Sequence, residues 1–359
     1  MRILHILNHT QRLNGHVHAA VDLACAQVAL GHQVCVASGG GDFDGLLRDN
    51  GIETVVVDHS RKLPSLAKAL MDLRRHVREY EPDVVHAHMM TSAVLAFPIS
   101  KLAGIPLITT VHNEFEKSAI LMGLGTRVIA VSDVVGASMR KRGVAASRLN
   151  VVLNGTIGSS RSQGRLTEPA ALQSPSIVFV GGLHPRKGLP DLFQAFDTVY
   201  RSLPAARLYI VGDGPFRQAY DEMVSSLGCA DAVTFVGAVK DPYPYMLAAD
   251  IFVLPSHADP APLVLSEARE ARCAVIGTAV DGIPQLLEYG EAGILVPPRD
   301  PAALAETLSH LLESPERIAT WKANSQVRID HLTIDRVARE TMQVYLAATP
   351  KSKKLVAIA

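Results

Sequence analysis

Residues 178–196 read VFVGGLHPRKGLPDLFQAF. The run opens as a buried strand, breaks at Gly181-Gly182 and, past Arg186-Lys187-Gly188, opens an amphipathic helix. Glycines let backbone approach a ligand closely, a helix N-terminus offers unpaired N–H groups, and two cations add charge. Together these features suit a diphosphate, although a plain strand–helix turn with surface cations would read the same. YIVGDGPFRQAY (209–220) repeats the design with Gly212-Asp213-Gly214-Pro215, where Pro215 is expected in the first helical turn.

The same alternation extends in both directions. Before it come strand-like runs at 2–7, 33–38, 52–57, 83–88, 107–112 and 127–132, separated by helical patterns near 17–30, 64–80, 90–103 and 133–142. After a Gly/Ser/Pro-rich stretch the pattern restarts at 176–182, 206–212, 232–237, 251–256, 273–277 and 293–297. Short, almost wholly apolar strands alternating with amphipathic helices predict parallel sheets covered on both faces. The expected fold is α/β, with two tandem doubly wound Rossmann-like domains facing across a cleft. Residues 1–157 form the first domain, 158–174 the linker and 175–333 the second, with a C-terminal helix at about 334–348 rejoining the first. Ligands in such folds bind beyond the carboxyl ends of the strands. There the chain places NGH, HNE, GGLHPRKG, GDGP and SHADPAP.

Composition narrows the class. The 359 residues are 48% hydrophobic and 19% charged with no net charge, which describes a globular chain. No apolar run reaches bilayer length and MRILHIL leads into polar sequence, so neither a signal peptide nor a membrane span is expected. Cys25, Cys35, Cys229 and Cys273 lie far apart and read as buried reduced thiols of a cytoplasmic protein. The first half carries a small excess of cations and the second an equal excess of acids, which favours an anionic surface or ligand for the first.

HADPAPLVLSEARE (257–270) sets Asp259 in a proline-rich turn and Glu267 eight positions later inside a helix. Residue chemistry alone leaves two readings: a cap with a solvated acid, or two carboxylates brought toward one site by the helix N-terminus.

The ordered motifs VGGLxPRKG, IVGDGP, VTFVGxVxD, ADIFVLPS, PLVLSEA and GIPQLL…GEAGILVPPRD resemble the donor-binding half of family-four retaining glycosyltransferases with the GT-B fold. RILHIL…NGHVHAAVDLA, PDVVHAHM, TVHN, VIAVSD and VVLNG extend the resemblance to about residues 1–345. It implies a nucleotide-diphosphate sugar donor, no other cofactor, no metal, and a glycan or lipid-linked acceptor held by the first domain. By position, Glu267 takes the ribose role and Asp259 the donor-sugar role. Gly181, Gly182, Asp213, Gly214, Pro215, Leu263 and Val264 also belong with the donor, Lys187 and Arg186 with the leaving diphosphate, and His112 with the donor sugar. Gly15 falls in the glycine loop whose backbone nears phosphates and acceptor. The implied reaction retains anomeric configuration, the departing phosphate helping to deprotonate the acceptor. The chain departs from the family pattern at Asp259, which is about 1.5 Å shorter than Glu. Other departures are Pro260-Ala261, where Gly-Phe is usual, and Gly182, where Arg is frequent and Arg186 stands in.

Other signals read differently. GDFDG (41–45) is expected to be a helix cap or loop. His86 and His88 share one strand face with no third metal ligand in view, and Asn154-Gly155 reads as a hinge turn. Basic and aromatic residues show no pattern for stacking nucleic-acid bases, so no nucleic-acid partner is expected. Residues 61–79 predict an amphipathic helix, with Leu66, Leu70, Leu73 and Val77 inward. Arg61, Lys62, Lys68, Arg74, Arg75 and Arg78 would face anionic lipid at the inner face of the membrane. Other readings of the same fold are a nucleotide-sugar epimerase, a phosphorylase, or a non-catalytic sugar-nucleotide-binding subunit.

Overall fold

The structure is a computed structural model that describes residues 1–12, 14–58 and 63–349, with backbone only for 63 and 64. It divides into two units, Met1–Gln163 with the segment beginning at Leu332, and Gly164–His331.

The first unit is built on seven parallel strands: β1 (Arg2–Ile6), β2 (Gln33–Ser38), β3 (Glu53–Val56), β4 (Val84–Ala87), β5 (Leu107–Val111), β6 (Arg127–Ala130) and β7 (Leu149–Val151). Their order is β3-β2-β1-β4-β5-β6-β7. The central strands β4 and β5 are buried at every position, while no residue of the edge strands β3 and β7 is fully buried. That contrast follows from helices covering both faces of the sheet centre. Val17, Val21 and Ala24 of the helix Gly15–Ala29 share one core with Val337, Met342 and Tyr345 of the helix Ile334–Ala348.

The second unit has six parallel strands: β8 (Ser176–Val180), β9 (Arg207–Val211), β10 (Val233–Gly237), β11 (Ile251–Leu254), β12 (Ala274–Thr278) and β13 (Ile294–Val296). Their order is β10-β9-β8-β11-β12-β13. The helix Leu189–Ser202 buries Leu192, Phe193, Phe196 and Val199, the spacing of one helical face. In each sheet the strand order reverses once, between β1 and β4 and between β8 and β11. Loops leaving neighbouring strands diverge at such a reversal and open a crevice at the carboxyl ends.

Several local expectations are corrected. β7 is a seventh strand that the sequence pattern did not reveal, since it is three residues long and only partly covered. Pro215 stands in the turn before the helix Arg217–Ser225, so it lies outside the first helical turn; Phe216 holds the N-cap position. The helix Leu63–Tyr80 buries Ala69, Leu73 and Val77, whereas Leu70 sits on the rim of that stripe and is 37% exposed. Arg61 and Lys62 lie outside the described residues. In GDFDG, Asp44 opens the helix Asp44–Asp49 and accepts from Gly41 N–H at 3.1 Å, while Asp42 accepts from Arg12 N–H at 2.9 Å. All four cysteines are buried and free, and burial pushes their thiols upward.

Candidate functional site

Two clusters stand at the strand-order reversals, one in each unit. In the second unit β8 runs into Gly181-Gly182, and a turn of 3-10 helix holds Pro185–Lys187 before Gly188. Gly188 has φ +69°, and a Cβ there would lie 1.9 Å from the carbonyl oxygen of Pro255, the residue after β11. Only glycine permits that contact, which seats the Arg186-Lys187 turn directly on the segment leaving β11. His257 N–H donates to the Arg186 carbonyl at 2.7 Å and fastens the same junction.

This junction brings Lys187, Arg186 and Asp259 together. Lys187 Nζ lies 2.5 Å from Asp259 Oδ2, and Arg186 Nη1 lies 3.8 Å from Oδ1. Ser256 Oγ donates to Asp259 at 3.3 Å, and the Asp259 N–H donates to Asp281 at 2.6 Å. Burial, with the charge of Asp259 adding to it, raises the Asp281 carboxyl above the usual range despite that hydrogen bond. Lys187 and Asp259 are buried, whereas Arg186 is exposed.

The neighbouring loop is locked to this one through glycine. Gly212, at φ +135°, would place a Cβ 2.0 Å from the Gly181 carbonyl oxygen, and Gly214 one 2.6 Å from that of Leu183. Leu183 N–H donates to the Asp213 carbonyl, and the Asp213 side chain accepts from Gly214 N–H at 2.7 Å. Gly182 alone among these is open: its nearest neighbour to a Cβ is the Asp213 carbonyl oxygen at 3.9 Å.

Glu267 lies on the helix Leu263–Glu270, whose first residues, Leu263 and Val264, follow an N-cap proline that offers no side-chain cap. The amides of that first turn therefore suit an anion. Glu267 pairs with Arg165 at 3.4 Å, and Arg165 also pairs with Glu270 at 3.1 Å and lies over the Tyr243 ring. The opposite side of the helix is anchored by Arg269, which is fully buried and donates to the carbonyls of Ser325, Leu286 and Val327.

In the first unit Gly15 opens its helix on an exposed turn with room around it. The next residue, His16, sets its ring 5.9 Å from that of His112, which follows β5. Burial, with His16 adding to it, lowers His112 to about 3; burial and His9 lower His16 to about 4. His112 also lines a small pocket with His88, Thr110, Asn154 and Thr341.

Sequence reasoning missed several members of these clusters. Arg165 sits in the Gly/Ser-rich linker, and nothing local pairs it with Glu267, 102 residues away. Asp281 lies outside every quoted motif, and Ser256, although it ends ADIFVLPS, carried no assigned role. The pair His86 and His88 does gain a third histidine: nitrogens of His5, His86 and His88 lie within 4.8 Å of one another. The available signal was polar His5 and His86 inside otherwise apolar strands, side by side in register. All six of their ring nitrogens already have hydrogen-bond partners.

Known proteins resemble both units. The profile described as Glycosyltransferase Family 4 matches residues 13–156, and that described as Glycosyl transferases group 1 matches residues 174–314. The glycogen synthase of Mycobacterium tuberculosis is 29% identical over 301 residues, 76% of this chain and 70% of its own length. The phosphatidyl-myo-inositol mannosyltransferase of Mycolicibacterium smegmatis is 27% identical over 288 residues, 76% of this chain and 73% of its own. Among solved structures, Anabaena HepE in complex with UDP-glucose superposes with a TM-score of 0.80 at 20% identity, covering 97% of this chain and 100% of that one. With its seven- and six-stranded parallel α/β sheets, the chain has the GT-B fold and belongs to the family-four glycosyltransferases, which transfer a sugar from a nucleotide-sugar donor.

Proposed function

We propose that the protein is a retaining glycosyltransferase that moves a sugar from a nucleotide-diphosphate sugar to a glycan or lipid-linked acceptor in cell-surface polysaccharide or glycolipid synthesis. The second unit binds the donor and the first the acceptor. The observation that carries this reading is the Lys187–Asp259–Arg186 cluster at the β8–β11 reversal. The bond from the anomeric carbon to the diphosphate breaks, and the acceptor oxygen forms its bond on the same face. The acceptor proton passes to the departing phosphate. Negative charge then grows on the leaving group, where Lys187, Arg186 and the first-turn amides of Leu263 and Val264 offset it. Those groups supply the positive charge that a divalent metal supplies elsewhere, so the reaction is expected to proceed in a chelator.

Glu267 takes the ribose hydroxyls, since a carboxylate accepts two hydrogen bonds. Asp259 holds Lys187 in place and meets the donor sugar, a role that the family pattern also gives to His112. Gly15, Gly181, Gly182, Asp213, Gly214 and Pro215 let backbone approach the donor. The UDP-glucose complex of HepE makes UDP-glucose the first donor to test.

Exposed Lys68, Arg74, Arg75 and Arg78, with Leu70 and the 66%-exposed Met71, support reversible attachment of the first unit to anionic lipid. No described helix is long and apolar enough to cross a membrane.

The test is release of nucleotide from UDP-, GDP- and ADP-sugars in EDTA without acceptor. Release from at least one donor, with Glu267→Ala needing about tenfold more donor for half-maximal rate, supports the reading. Nucleotide-sugar binding with no release, with or without candidate acceptors, would favour a non-catalytic subunit.

A further inference from the structure

A chain of hydrogen bonds runs through the core of the first unit and ends on His112. Gln27 Oε1 lies 2.7 Å from His5 Nε2, His5 Nδ1 lies 2.8 Å from His88 Nε2, and His88 Nδ1 lies 3.2 Å from His112 Nε2. The direction of every proton follows from its first link. The Gln27 amide nitrogen lies 3.2 Å from the Tyr345 hydroxyl and 3.7 Å from Met342 sulfur, which only accepts, so Oε1 is the atom that faces His5. His5 must therefore donate from Nε2, which leaves its Nδ1 to accept from His88. His88 Nδ1 in turn accepts from His112 Nε2. The His112 Nδ1 atom is buried and has no partner.

A branch agrees with this ordering. Tyr345 accepts from Gln27, donates to His86 Nδ1 at 2.5 Å, and so leaves His86 Nε2 to donate to Thr110 at 2.7 Å. Every histidine in the network is neutral in this scheme, in line with burial lowering His5, His86, His88 and His112 below the ordinary range.

We infer that Gln27, His5 and His88 are positioning residues that fix His112 with its proton on Nε2, presenting Nδ1 as an acceptor for a substrate hydroxyl. The substrate half of this statement rests on the role proposed above for His112; the proton order does not. A donor sugar bearing a hydroxyl at Nδ1 is then favoured over one lacking it, because the buried acceptor would otherwise stay unpaired.

Nitrogen NMR of isotope-labelled histidine side chains in the wild-type protein reads the proton order directly. The expected result is Nε2–H and bare Nδ1 at His5, His86, His88 and His112 near neutral pH. A proton on Nδ1 of His112 or His88 would overturn the inference, as would stoichiometric zinc binding lost in His5→Gln.

In His5→Phe, which removes the acceptor from His88, the His112 signal should become a mixture of tautomers and kcat/KM should fall about tenfold. His5→Gln, which can still accept from His88 and donate to Gln27, should restore both. Equal loss in His5→Gln and His5→Phe, with the His112 tautomer unchanged, would reduce the chain to a structural role and overturn the inference. A released tautomer with unchanged kcat/KM would uphold the chain but remove His112 from the substrate site.

Discussion

Lys187 holds its ammonium 2.5 Å from the carboxylate of Asp259, 72 positions away in sequence and across the β8–β11 reversal. Both side chains are buried, so each charge depends on the other for compensation. Removing either partner alone, as Lys187→Met or Asp259→Asn, should destabilise the second unit by about 3 kcal/mol. The double variant should recover part of that loss. Urea unfolding of the four proteins measures the coupling; strictly additive losses would mean that the pair contributes nothing as a pair.

Glycines around the site should separate into two classes. Gly188→Ala and Gly212→Ala each set a Cβ about 2 Å from a carbonyl oxygen at positive φ, and should cost more than about 1 kcal/mol. Gly182→Arg meets open space and should unfold at the wild-type temperature while adding a cation beside the Lys187 turn. Thermal unfolding of the three variants checks the ranking; a destabilised Gly182→Arg would show that the loop cannot carry a side chain.

The strand–helix alternation was legible because buried parallel strands are almost wholly apolar, and β8, β11 and β12, buried at every position, announced themselves that way. β7 escaped since Leu149–Val151 is a short edge strand with little burial to shape its sequence. The motif residues Lys187, Asp259 and Glu267 were also legible, yet their partners were not. Arg165 and Asp281 meet them through tertiary packing, which leaves no periodicity along the chain, while Ser256 meets Asp259 inside one turn that has no regular pattern to read. The histidine network is the extreme case. Its members come from β1, the helix Gly15–Ala29, β4, β5 and a helix more than three hundred residues from Gln27.

Acid should unfold the protein early. His5, His86 and His88 are fully buried and stay neutral in the folded state, His5 down to about 4. In the unfolded chain histidine takes a proton near pH 6.5. As pH falls from about 6.5 toward 4 the unfolded state therefore binds protons that the folded state refuses. Each such histidine removes up to about 1.4 kcal/mol of stability per pH unit. The urea midpoint should drop steeply between about pH 7 and 5 and change less in His86→Gln. A flat midpoint over that range would contradict the neutral, proton-ordered network.

The outer face of the helix Leu63–Tyr80 makes a separate prediction. At low salt the wild type should sediment with vesicles containing anionic lipid and dissociate as salt is raised, because exposed cations act through screened charge. Changing Lys68, Arg74, Arg75 and Arg78 to Gln should abolish sedimentation. Equal pelleting of that variant would assign the face a purely structural role.

In the reaction proposed above, Lys187 meets charge developing on a leaving nucleotide diphosphate. The direct measurement is the rate of nucleotide release from saturating donor, in EDTA, by wild type and Lys187→Ala, with donor affinity and folding of the variant determined in parallel. A fall of about 100-fold in rate, with donor affinity changed far less, is the expected result. Release at the wild-type rate by a folded Lys187→Ala protein would contradict it.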